Sequence, residues 1–149
     1  MTLMSRKVDY ALLILAYLDQ KSEGACAREI ADHFSLSKGF VANILKLLCQ
    51  EEMVESHRGV KGGYALARSM SEVSLAELME ALDDEVYLAE CNKTTDPCSL
   101  TPICPVKGAI SEVQDRIRQI FQDVALADLF PNSVVSGDTQ YGLKLEQKT

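Results

Sequence analysis

Apolar residues recur at helical spacing at Val8, Ala11, Leu12, Leu15, Ala16 and Leu18, so residues 8–18 are expected to form a helix with a wide buried face. The stretch from Lys21 to Gly24 interrupts that period, with Gly24 as the stop. A shorter period over residues 25–34 puts Ala27, Ile30, Ala31 and Phe34 inside a second helix. Ser35-Leu36-Ser37 makes a tight connection, and Ser37 is placed to cap a third helix over about residues 38–51 that buries Val41, Ile44, Leu45, Leu48 and Cys49. Two short helices joined by about three turn residues, the second opened by small and polar side chains, form the pattern of a helix-turn-helix.

Two short alternating runs follow, Met53-Val54-Glu55-Ser56 and Tyr64-Ala65-Leu66-Ala67, and they read as strands of a hairpin. Their connection holds Gly59, Gly62 and Gly63, with Arg58 and Lys61 as the charges at the tip. Glycines let a narrow hairpin approach another molecule closely, and an Arg on it suits a minor groove or a phosphate. Taken alone this is better read as an ordinary hairpin with solvated cations; directly after a helix-turn-helix it reads as a wing. A further helix over residues 71–83 is expected to bury Leu75, Leu78, Met79 and Leu82, with Ser74 as its cap and Glu77 as capping-box partner.

From Cys91 to Pro105 three prolines sit among three cysteines and regular structure is not expected. After Pro105 a long helix carries Ile110, Val113, Ile117, Ile120 and Val124 at alternating spacings of three and four, with Phe121 beside them. Such a seam fits a dimer partner, or else the helix folds back on its own domain. The segment 131–149 is polar and without period and reads as a poorly ordered tail. The resulting fold class is mainly α: a winged helix-turn-helix with a two-stranded wing and a long C-terminal dimerisation helix. The divisions are 1–84 for DNA binding, 85–106 for the cysteine loop, 107–130 for dimerisation and 131–149 for the tail.

Composition adds three constraints. A chain of 149 residues with 47% hydrophobic content can bury one core with an appended element. No run approaches the roughly 18 consecutive apolar residues of a membrane span, and residues 1–7 are too short and too soon amphipathic for a secretory signal, so a cytoplasmic protein is expected. The net charge of −7 speaks against nucleic acid only if taken globally. Residues 1–68 hold nine Lys and Arg against eight Asp and Glu, and residues 69–149 hold six against fourteen, so the acid lies in the second half.

Five cysteines, three of them between Cys91 and Cys104, suit a metal site better than a disulfide framework. Six residues separate Cys91 from Cys98, five separate Cys98 from Cys104, and Pro105 follows. Three thiolates on a Pro-stiffened loop are soft ligands for iron-sulfur clusters or zinc. Structural zinc sites usually show paired spacings of two to four residues and a fourth protein ligand, and neither is present. The two histidines, His33 and His57, fall in the helix-turn-helix and the wing. Cys26 and Cys49 lack cysteine neighbours and read as buried apolar residues.

The opening Val8-Asp9-Tyr10-Ala11-Leu12, the segment Arg58-Gly59-Val60-Lys61-Gly62-Gly63-Tyr64-Ala65-Leu66 and three cysteines before a long helix together resemble the Rrf2 family of bacterial winged-helix regulators, over about residues 3–130. The resemblance implies a homodimer made by the long helix, and a cluster held near the partner subunit by Cys91, Cys98 and Cys104. The first gap here is six residues where some cluster-holding members have five, and Lys107 stands where one branch has a histidine ligand. A protonated Lys has no lone pair for iron. Asp9 falls where another branch carries a carboxylate that completes a 4Fe-4S cluster from the opposite subunit, so the resemblance points to three Cys plus Asp9, and to 4Fe-4S in preference to 2Fe-2S. Without it, Asp9 is simply a carboxylate in a helix first turn.

For an operator in double-stranded DNA, the candidate contacts are Ser37, Lys38, Gly39, Phe40, Asn43 and Lys46 from the third helix, with Arg58 and Lys61 from the wing. Asn can bond two edges of adenine and lysines serve phosphate; Phe40 is included because the family places contacts there. The alternative function is a metal-free regulator that responds to thiol oxidation or a partner protein. An enzyme is not expected: no histidine neighbours the cysteines, and no phosphate loop or acid-base pair is recognisable.

Overall fold

The computed structural model describes residues 3–60, 62–95 and 98–130. Its first helix, α1 (Arg6–Gln20), begins where the Ser5 hydroxyl accepts a hydrogen bond from the Val8 amide at 3.4 Å, two residues ahead of the apolar period. Val8, Ala11, Ile14, Leu15 and Leu18 form its buried face. The second helix, α2 (Ala27–Phe34), is capped by Cys26, whose Sγ accepts from the Glu29 amide at 3.4 Å. Cys26 is therefore exposed, and not the buried apolar residue its isolation in sequence suggests. Ser35 adopts a left-handed conformation (φ 54°) that ends α2, and α3 (Lys38–Gln50) starts after Ser37, whose hydroxyl makes no capping bond.

The helix-turn-helix continues into an antiparallel hairpin, β1 (Val54–His57) and β2 (Gly63–Leu66), paired from Val54 opposite Leu66 to His57 opposite Gly63. Gly59 turns the tip at φ 119°, where a side chain would be strained. The base of the hairpin is stitched to the loop before α2: the Ala25 amide donates to the Tyr64 carbonyl oxygen at 2.9 Å, and the Tyr64 amide to that of Ala25 at 2.8 Å. A Cβ on Gly63 would lie 2.7 Å from the Ala25 carbonyl oxygen, so this approach requires glycine.

The fourth helix, α4 (Leu75–Ala81), is shorter than its apolar period suggests, beginning at Ser74, whose hydroxyl accepts from the Glu77 amide at 3.1 Å. Glu77 does not complete the capping box; its carboxylate pairs with Arg68 at 2.5 Å and ties the end of the wing to α4. After a 3-10 turn at Glu90–Asn92, the chain enters α5 (Lys107–Asp123).

The long helix stops before the last position of its expected seam. Val124 is extended, and its carbonyl oxygen accepts from the Leu75 amide at 2.9 Å while the Leu126 amide donates to Val73 at 2.8 Å. A short helix, α6 (Leu126–Leu129), follows, and Leu126 and Phe130 enter the core formed by α1, α3, α4 and the base of the wing. Among the described residues no helix is long and apolar enough to cross a membrane.

Candidate nucleic-acid interface and cysteine loop

The period of α3 divides it into two faces. Val41, Ile44, Leu45 and Leu48 are fully buried, while Ser37, Lys38, Gly39, Asn43 and Lys46 are exposed. Among the described residues no carboxylate pairs with Lys38, Lys46 or Arg58, so these cations are available to an external anion. Ser37 likewise keeps its hydroxyl uncommitted. Arg58 is exposed in the wing connection; Lys61 lies outside the described residues. Phe40 differs from its neighbours, because it is half-buried and packs edge-to-face on Tyr10, with ring centroids 5.4 Å apart. His57 is exposed on β1 beside Glu55 at 3.0 Å.

Cys91, Cys98 and Cys104 are each half-buried, on one connection between α4 and α5. Among the described residues no group of three or more His, Cys, Asp or Glu side chains is gathered as a metal site. What the structure does establish is how the first part of the connection is held. Gln114 of α5 is 2% exposed, and its amide is engaged at both oxygen and nitrogen: Oε1 accepts from the Leu88 amide at 2.6 Å and from Asn92 Nδ2 at 3.4 Å, and Nε2 donates to the Val86 carbonyl oxygen at 2.6 Å. Ser111 donates to Asn92 Oδ1 at 3.1 Å, the same oxygen that lies 4.0 Å from the Cys91 thiol. Cys91 is thus set against α5 by hydrogen bonds its neighbours make to two residues of that helix.

The second part is a coil of turns. The Thr101 amide donates to the Cys98 carbonyl oxygen and the Ile103 amide to that of Leu100, both at 3.0 Å. Thr101 Oγ1 is buried and has no hydrogen-bond partner among the described residues. Three thiols and one buried, unpartnered hydroxyl on the same short loop are a donor set that fits an iron-sulfur group, whose sulfurs accept hydrogen bonds.

Asp9 is exposed in the first turn of α1, and Lys107 is exposed at the start of α5. Gln114 and Asn92 escape a sequence reading because their partners are up to 28 residues away and a Gln among charged residues of a helix reads as solvated. Cys49 is half-buried on α3, and burial raises its thiol pKa, which disfavours the thiolate.

The Rrf2 family model, described as an iron-dependent transcriptional regulator, matches residues 4–132. The chain is 30% identical over 132 residues to the HTH-type transcriptional regulator NsrR of Oceanobacillus iheyensis, covering 87% of this chain and 90% of that protein. It is similar in structure to CymR, the global cysteine regulator of B. subtilis, with a TM-score of 0.66 at 22% identity over 87% of this chain and 96% of that one. It is also similar to IscR of T. potens, with a TM-score of 0.61 at 24% identity over 84% and 83% of the two chains. At these identities the structural likeness concerns the fold, a winged helix-turn-helix followed by a long helix.

Proposed function

This chain belongs to the Rrf2 family of transcriptional regulators, and from that premise we propose that it acts as a homodimer on an operator in double-stranded DNA and senses iron, redox state or nitric oxide through an iron-sulfur cluster. Residues 1–84 read DNA, 85–106 hold the cluster, and 107–130 make the dimer. Lys38, Lys46, Arg58 and Lys61 meet phosphate, Asn43 a base edge, and Ser37 and Gly39 allow the start of α3 to approach closely. Phe40 contributes by holding that start against Tyr10.

Cys91, Cys98, Cys104 and the partner subunit's Asp9 are the proposed ligands, with 4Fe-4S preferred over 2Fe-2S. When bound, such a cluster supplies a reactive centre whose carboxylate-held iron is its labile corner, open to nitric oxide, oxygen or iron loss. The protein's own part is to connect the ligands to the reading heads. The path from Cys91 to α5 is short, running through Asn92, Ser111 and Gln114. From α5 it continues to α4 and the core through Val124, Leu75 and Leu126. A change in how Cys91 is bonded therefore bears on α5, and with it on the spacing of the two DNA-binding units.

The observation that carries this reading is the set of three half-buried cysteines on one loop whose first segment is hydrogen-bonded to α5. The test is the visible absorption and iron and sulfide content of protein purified without oxygen, beside Cys98→Ala and Asp9→Ala. Bound iron and sulfide, lost in Cys98→Ala and weakened in Asp9→Ala, are expected. Colourless, iron-free protein that still binds its operator would instead establish a second reading, a metal-free regulator that responds to thiol oxidation or a partner protein. What favours that reading is Cys26, an exposed thiol at the start of α2 that already accepts a helix amide.

A further inference from the structure

Thr101 lies between two of the cysteines, three residues after Cys98 and three before Cys104. Its amide is used in the turn that begins at Cys98, but its hydroxyl oxygen is buried with no partner among the described residues. A buried polar group without a hydrogen bond costs about 1–3 kcal/mol, and folded proteins keep few of them. Valine has nearly the shape of threonine and would remove that cost. The adjoining Leu100, Pro102 and Ile103 offer no polar side chain to the hydroxyl. Neither Cys98 nor Cys104, three residues away on either side, is its hydrogen-bond partner, so the hydroxyl is left for an acceptor that a ligand on this loop would bring.

We propose that the Thr101 hydroxyl donates a hydrogen bond to sulfur at the cluster site, either the thiolate of Cys98 or Cys104 or a cluster sulfide, and thereby tunes the reduction potential and the hold on iron. This rests on the cluster reading above. The physical basis is simple. A donor to sulfur withdraws electron density from it, which stabilises the more negative, reduced state and raises the potential. Groups that bond to ligands without touching the metal commonly change metal affinity by about 10-fold or more when removed. Thr101 is a positioning and tuning residue, and its hydroxyl rather than its methyl group carries the effect.

The test compares wild type, Thr101→Val and Thr101→Ser, all purified without oxygen. Iron and sulfide content, midpoint potential, visible spectrum and the rate of iron loss to a chelator are measured. Thr101→Val, which exchanges the hydroxyl for a methyl group of similar size, should show a lower potential, a shifted sulfur-to-iron absorption band and iron loss faster by about 10-fold; Thr101→Ser should stay close to wild type. Loss of the cluster in Thr101→Val but not in Thr101→Ser would support the same role. Thr101→Val matching wild type in all four measurements, or both variants losing the cluster alike, would overturn it. Wild type without iron and sulfide would overturn the cluster reading and this inference together, which separates that failure from the others.

Discussion

Three serines stand at helix starts, Ser5, Ser37 and Ser74, and the last two do different work. Ser74 caps α4 through its hydroxyl, whereas Ser37 precedes α3 without a capping bond. Ser74→Ala should cost about 1 kcal/mol of stability in chemical denaturation and leave intrinsic operator contacts alone. Ser37→Ala should leave stability nearly unchanged and weaken operator affinity in a gel-shift titration. Gln114 gives a sharper case. Gln114→Leu would leave the part-buried Leu88 amide and Val86 carbonyl oxygen without their partner, at up to about 1–3 kcal/mol each, so a fall in Tm is expected. At this scale the sequence was legible where chemistry is local. Ser74 was recognisable from Glu77 three residues on, and Cys26 caps at the same spacing but with a residue type that does not signal a cap; the engagement of Glu77 with Arg68 and the burial of Gln114 arise from packing that no short spacing records.

Helices α1 and α2 are joined at the surface by Glu29, whose carboxylate accepts from the Tyr17 hydroxyl at 2.8 Å and from Lys21 at 3.1 Å. The Tyr17 and Lys21 hydrogen bonds lower the pKa of Glu29 below the ordinary carboxylate value. A group with a depressed folded pKa contributes its stability above its unfolded pKa and loses it as pH falls through the folded one. The stability difference between wild type and Glu29→Gln should therefore be present at neutral pH and fade in acid, as pH-dependent thermal melts would read out. Because the pair is exposed, added salt should shrink the difference. The elements themselves were legible because the period of α1, α2 and α3 and the glycine-marked hairpin are strong patterns. Boundaries were less so: α4 is shorter than its apolar run, since Ser71 to Val73 serve as a connection whose Val73 carbonyl receives the chain returning after α5.

At the scale of the whole molecule, α5 presents two sides. Gln114 is buried, and Ile110, Ile117 and Phe121 are partly covered, whereas Val113 and Ile120, seven residues apart, are exposed at 43% and 59%. The helix rests on its own domain and keeps Val113 and Ile120 outward, where the proposed dimer partner would lie. Val113→Asp with Ile120→Asp should leave the fold of the single chain intact by circular dichroism and lower the dimer fraction in sedimentation, together with operator affinity. Retention of the dimer would remove α5 as its interface. The seam itself could be found in sequence. The turn back at Val124 could not, because an apolar residue at a heptad position looks the same whether the helix continues or ends in a backbone pairing with α4.

The double hydrogen bond between Ala25 and Tyr64 makes the wing and the helix-turn-helix the two arms of one rigid caliper. A caliper with locked jaws measures a single width, so on the proposed DNA reading each subunit would demand a constant number of base pairs between the contact of α3 and that of Arg58. On that same reading, variation among operators would fall in which bases occupy those contacts and in the distance between half-sites, and a regulator of this build would acquire new targets by exchanging side chains on one arm without resetting the other.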